Sequence, residues 1–169
     1  MGGFGSGSWV RHGVKSRVES SLTLAVRDVR KSLRDGAVGS LAWTSNRGSN
    51  YSISYTIAAN SHWFTLTLSY RWNDSEDIRI PIVLQPTRPQ FGGQRWWFTC
   101  PLIVDGVSCR CRVGKLYLPP GSKYFGCRKC HNLTYRSSQE AHYFSRELSR
   151  LGLPCDAETC RMFSQRMGR

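Results

Sequence analysis

The stretch Phe64-Thr65-Leu66-Thr67-Leu68-Ser69-Tyr70-Arg71-Trp72 alternates apolar and polar residues without a break. Successive side chains of an extended chain point to opposite faces. A period of two therefore puts Phe64, Leu66, Leu68, Tyr70 and Trp72 on one side and Thr65, Thr67, Ser69 and Arg71 on the other. The same alternation occurs upstream, where Ile53, Tyr55 and Ile57 interleave with Ser52, Ser54 and Thr56, and downstream in Ile78, Ile80, Ile82 and Leu84. Pro81 inside the third run points to an edge strand or a bulge. The breaks Asn46–Asn50, Ala59–His62 and Asn73–Glu76 are rich in turn formers. Short connections between alternating runs predict an antiparallel meander with one buried and one wet face. The Ser and Thr residues belong to the wet face and are not nucleophiles. His62 falls in a turn, and Asp74, Glu76 and Asp77 form a single local cluster. Metal-dependent nucleases gather carboxylates from several elements, so the chain reads as non-enzymatic.

Upstream of the meander the period lengthens. Ser16-Arg17-Val18-Glu19 has the spacing of a capping box. Leu22, Val26, Val29 and Leu33 follow at helical intervals, and Asp35-Gly36 makes a stop. On the other face of this predicted helix Arg27, Arg30, Lys31 and Arg34 fall together, a candidate phosphate-contact surface. The start, MGGFGSGSW (residues 1–9), is too rich in Gly and Ser to hold one conformation, and reads as an arm that settles along a nucleic acid or a neighbouring protein. Its glycines lack the preceding strand of a dinucleotide fingerprint.

The chemistry lies downstream. Seven cysteines, at 100, 109, 111, 127, 130, 155 and 160, fall in the last 70 of 169 residues. Residues 1–11 lack the apolar core of a secretory signal, which predicts a reducing, cytoplasmic setting and favours metal over disulfides. Cys127-Arg128-Lys129-Cys130 has the spacing of a metal knuckle, and Cys100-Pro101 opens a partner knuckle closed by Cys109 after eight residues. Cys111 is an alternative to Cys109. Residues 112–118, the turn Pro119-Pro120-Gly121-Ser122, and residues 123–126 read as strand, turn, strand. Two cysteine pairs around a hairpin describe a zinc ribbon, with four thiolates at about 2.3 Å from one structural Zn²⁺ and no open position for water. Among the rivals, Cys127-x-x-Cys130-His131 matches a c-type haem motif but leaves Cys100 and Cys109 unexplained. A redox pair lacks its βαβ context, and an iron–sulfur cluster also takes four cysteines. Cys155 and Cys160 lack knuckle spacing and sit in a predicted terminal helix.

Charge sharpens the function. Lys plus Arg number 24 against 11 Asp plus Glu, a net +13, and 19 of the cations are Arg. Residues 1–34 carry +5, residues 35–105 are neutral, residues 106–139 carry +7 with no acid, and the remainder adds +1. Such an excess marks a polyanionic partner, and the weight of Arg favours bidentate phosphate recognition over a membrane surface. No run approaches the roughly 18 apolar residues of a membrane-spanning helix. Arg110, Arg112, Lys115, Lys123, Arg128 and Lys129 are the first candidates for nucleic-acid contact, and the four helix cations are the second. Tyr117, Tyr124 and Phe125 interleave with them, a pattern that suits base stacking or a small ribbon core.

The strings RWWFTCP (residues 95–101) and GKLYLPPGSKYFGCRKCHNLTYRSSQE (residues 114–140), with GGFGSG at residues 2–7, resemble a group of small bacterial and phage proteins with a glycine-rich start, a β-rich middle and a carboxy-terminal zinc ribbon. The resemblance implies Cys100, Cys109, Cys127 and Cys130 as ligands, with Cys111 standing where a non-ligand is expected. It implies a fold and a metal, but no activity. After the ribbon, Tyr143, Phe144, Leu148 and Leu151, then Met162, Phe163 and Met167, predict short helices. The expectation is thus an α+β chain: an arm at 1–15, a helix and meander at 16–95, a four-cysteine zinc ribbon at 96–136 and a helical segment at 137–169. Its expected role is nucleic-acid binding, DNA or RNA, in a nucleoprotein assembly. A module using its basic face on an acidic protein is the alternative.

Overall fold

The computed structural model describes residues 15–44, 50–73, 75–139 and 149–150. The predicted arm, most of the predicted terminal helices, Asp74, Cys155 and Cys160 lie outside the described residues. The alternating runs form strands. Strand β2 (Val38–Thr44), β3 (Asn50–Ala59), β4 (Phe64–Trp72), β5 (Glu76–Thr87), β6 (Arg95–Thr99) and the short β9 (Arg112–Val113) make one antiparallel sheet in the order β2-β3-β4-β5-β6-β9. Its register pairs Leu68 with Ile80, Tyr55 with Leu68 and Leu84 with Phe98. The apolar side of each strand therefore lands on the same face. Ile53, Ile57, Leu66, Leu68, Ile80, Ile82, Leu84 and Phe98 form the core, while Ser52, Ser54 and Thr56 stay exposed. Pro81 is tolerated inside β5 because β6 covers only Leu84–Thr87, leaving β5 an edge at the proline.

The α+β expectation is overturned. Half of the described residues lie in strands and 13% in helices, and the sheet is curled. The predicted helix over residues 16–34 is instead a 3₁₀ turn (Val18–Ser20), strand β1 (Leu22–Ala25), one α-helical turn, α1 (Val26–Val29), and a second 3₁₀ turn (Arg30–Ser32). Leu22-Thr23-Leu24-Ala25 fits a period of two as well as a helix, and tertiary pairing decides. Strand β10 (Lys115–Leu118) takes β1 as its antiparallel partner, with Thr23 opposite Tyr117 and Leu24 opposite Leu116. A helix of this length has little stability of its own to set against that ladder. The apparent capping box is a tertiary contact. Both Glu19 carboxylate oxygens accept the Arg136 N–H at 3.1 Å, at the start of a helical turn beginning at Arg136. The working cap is Asp28, whose carboxylate accepts the Ala25 N–H at 2.8 Å.

Candidate metal centre

Strand β6 runs directly into Cys100. Beyond it, Ile103–Val104 (β7) and Val107–Ser108 (β8) form a two-residue hairpin turned by Asp105 (φ 51°) and Gly106 (φ 78°). Positive φ at both central residues is the turn that matches strand twist, and Asp-Gly supplies it at low cost. The hairpin folds back so that the Cys109 N–H donates to the Leu102 carbonyl at 2.9 Å. The eight-residue gap thus closes in space to a Cys-Pro-Leu-Cys knuckle with a hairpin spliced into it. Arg110 (φ 48°) then turns the chain, and the Cys111 carbonyl accepts the Cys100 N–H at 2.9 Å.

The second knuckle packs against the first. A single antiparallel bridge joins Tyr117 to Gly126 and ends at Cys127, so the predicted strand over residues 123–126 is reduced to this one pair. A Cβ on Gly126 would collide with Leu102 Cδ1, so this close approach of the two knuckles requires glycine. Phe125, wholly buried, anchors the segment to the sheet between Tyr70 (ring centroids 6.1 Å apart, edge-on) and Trp43 (6.3 Å). The Tyr70 hydroxyl donates to the Lys123 carbonyl at 2.6 Å, and burial pushes its pKa up to about 12. Beyond Cys130, Asn132 (φ 47°) reverses the chain, and the Thr134 N–H donates to the Ser16 carbonyl.

Cys100, Cys109, Cys127 and Cys130 converge, all four sulfurs lying within 4.8 Å of one another. Sγ–Sγ separations are 3.8 Å for Cys100–Cys130, 3.8 Å for Cys109–Cys127 and 3.6 Å for Cys127–Cys130. Bonded sulfurs would be about 2.0 Å apart, so these are free thiols. Four thiolates about 2.3 Å from one tetrahedral ion stand about 3.8 Å apart, which is the spacing found. A multi-iron cluster spreads its four thiolates over two or four irons, so thiolates on different irons stand further apart. The donor set therefore fits one ion. Backbone N–H groups point at the sulfurs, Cys127 N–H to Cys100 Sγ at 3.3 Å and Cys130 N–H to Cys127 Sγ at 3.5 Å, a shell that stabilises thiolate charge. Cys111 is exposed and stands outside the four. Burial lifts the Cys100 thiol to about 11 and raises Cys130. Cys109 is brought down to about 7, because burial, which lifts it, is outweighed by the Cys111 backbone and neighbouring thiols. His131 Nε2 donates to the Tyr124 carbonyl at 3.1 Å, and burial lowers its pKa. It serves the second knuckle as a brace.

Comparison with protein-family models, curated proteins and solved structures gives no match, so the reading of this site rests on the chain's own residues.

The cations divide into two groups. Arg110, Arg112, Lys115, Arg128 and Lys129 are exposed. Lys123 is half-buried and ion-paired to Glu76 at 2.5 Å, which makes it a clamp between the meander and the ribbon. Arg27, Arg30, Lys31 and Arg34 are exposed too, although no single helix face gathers them; Arg27 lies 3.5 Å from Asp28. Of the aromatics singled out in the ribbon, Phe125 and Tyr117 are core. Tyr124 (41% exposed) faces solvent, as does Tyr135 (43% exposed), which alternation and spacing did not mark. The Arg128 guanidinium lies 5.4 Å from the Tyr135 ring, a cation–π pair on the outside of the second knuckle. The acidic turn is occupied, Asp77 by Arg71 at 3.1 Å and Glu76 by Lys123. No helix among the described residues is long and apolar enough to cross a membrane.

Proposed function

We propose that the chain is a non-enzymatic zinc-ribbon protein that binds nucleic acid, as an accessory factor of a phage, mobile-element or bacterial nucleoprotein assembly in a cytoplasmic setting. Four thiolates suit Zn²⁺, which takes sulfur donors tetrahedrally without redox chemistry. With every position filled by cysteine the ion holds the two knuckles together and activates no water. The observation that carries the binding role is the placing of exposed Arg128 and Lys129 between two of the metal ligands, on a segment without acids. Cations fixed by a metal knuckle lose little freedom on meeting a phosphate backbone. Mobility-shift titrations across salt concentrations test the role: the reading requires binding at low salt that weakens steeply as salt rises, and it fails if binding is absent or indifferent to salt.

One observation favours a second reading. Ile103 and Val107 on the β7–β8 hairpin are 68% and 70% exposed, an apolar projection that suits a protein partner. The variant Arg128→Ala/Lys129→Ala separates the two. Loss of an acidic protein partner with nucleic-acid binding untouched favours the adaptor as the role of this basic face.

A further inference from the structure

At the Arg95 end of β6, away from Cys100, the β3–β4 and β5–β6 loops enclose an open cleft of about 490 Å³. Trp63, Trp96, Phe64, Arg88, Asn60 and Gln94 are among the residues that line it, and no lining residue is acidic. The Phe64 and Trp96 rings pack in a tilted pair, 5.2 Å between centroids and 58° between planes, which fixes the floor. Trp63 is 42% exposed at the rim, and its carbonyl accepts the Asn60 N–H at 2.9 Å, closing the turn that presents it. Arg88 is exposed and has no ion-pair partner among the described residues. The loop from Arg88 to Gln94 also carries Phe91, fully exposed, beside Gly92 (φ 82°) and Gly93 (φ 81°). A fully exposed phenylalanine contributes nothing to the core. Two adjacent left-handed residues that only glycine adopts freely shape the loop that displays it.

We propose that this cleft binds an unpaired nucleobase with its phosphate, so that the protein engages single-stranded nucleic acid at a second surface. The proposal rests on the reading of the chain as a nucleic-acid-binding protein and assigns a strand state and a site to it. Flat π-surfaces at the rim and on the adjoining loop accept any base face, and one free guanidinium matches a phosphate. The Gln94 carboxamide supplies a donor and an acceptor for a base edge, and Asn60, whose amide nitrogen donates to Thr65 Oγ1 at 3.2 Å, adds its oxygen as an acceptor. Bases of a duplex are stacked on one another and cannot enter. A neutral sugar would leave Arg88 unused, and the net charge of +13 favours a phosphate-bearing occupant.

The test uses the full-length protein with labelled single-stranded DNA, the matching RNA and a blunt duplex of equal length, read by fluorescence polarisation. Trp63→Ala should weaken single-strand binding about fivefold or more while changing duplex binding by less than about twofold. Phe91→Ser, at a position whose loss cannot unfold the core, should also weaken single-strand binding selectively. A preference for one sugar backbone identifies the natural strand, and equal binding marks stacking as the main contribution; both support the cleft. If both variants keep wild-type single-strand affinity while Arg128→Ala/Lys129→Ala loses it, the cleft proposal is overturned and the ribbon reading stands. Wild-type protein that binds no probe at low salt overturns both.

Discussion

Cys109 and Cys111 differ by two positions in sequence and by role in the fold. Cys109 is held by the Leu102 carbonyl with its sulfur among the other three, whereas Cys111 contributes its backbone carbonyl to the Cys100 N–H and stays exposed. Cys111→Ser should therefore retain one metal ion per chain, while Cys109→Ser should lose it, as read by elemental analysis of purified protein. The opposite pattern would exchange their roles. Protons follow from the same residues. Burial raises Cys100 to about 11 and raises Cys130, so in the metal-free protein both thiols are protonated at neutral pH. Metal binds thiolate, so each of these protons must leave. Affinity therefore rises with pH and falls on acidification, and calorimetry in buffers of differing ionisation enthalpy should show at least about two protons released per ion at pH 7. No buffer dependence would contradict the assignment. That Cys127 and Cys130 converge was legible in the sequence because their knuckle spacing is a local property, and Cys100-Pro101 marked the partner that meets them. The choice between Cys109 and Cys111 was not, because the Leu102–Cys109 bond that decides it closes across a hairpin.

Elements tell a similar story. The meander could be read from alternation alone, since a buried face and a wet face oblige every second residue to be apolar. The segment 16–34 could not. Leu22, Leu24 and Val26 recur with a period of two, while Leu22, Val26 and Val29 recur at helical spacing, and the outcome depends on β10, some ninety positions away, which would otherwise leave an unpaired edge. Hairpin β7–β8 is a separate matter. It hangs from the first knuckle without supplying a ligand, and the residues on either side of it, Leu102 and Cys109, are already hydrogen-bonded. Excising residues 103–108 and joining Leu102 to Cys109 should leave a Cys-Pro-Leu-Cys knuckle that keeps the metal and a cooperative thermal transition. Loss of metal in the excised chain would mean that the hairpin shapes the site.

For the molecule as a whole, charge and fold divide the labour. The neutral meander supplies a core, and its acids at Glu76 and Asp77 are taken up by Lys123 and Arg71, while among the described residues Arg110, Arg112, Lys115, Arg128 and Lys129 are exposed without an ion pair. With Lys123 committed, Arg110, Arg112, Lys115, Arg128 and Lys129 remain, four of them within three residues of one of the converging cysteines. About four phosphate contacts give a log–log salt slope of about −3 to −4 on duplex DNA, and Arg128→Ala/Lys129→Ala should make it shallower by about 2. An unchanged slope would place the contact surface elsewhere. The amino-terminal segment is tied to the cysteine-bearing half of the chain through the Ser16–Thr134 and β1–β10 contacts. Zinc K-edge X-ray absorption on the purified chain tests that centre most directly. One zinc per chain with a shell of four sulfurs at about 2.3 Å is the expected result; a shell containing nitrogen or oxygen, or a folded chain that purifies without zinc, would overturn the four-cysteine zinc site.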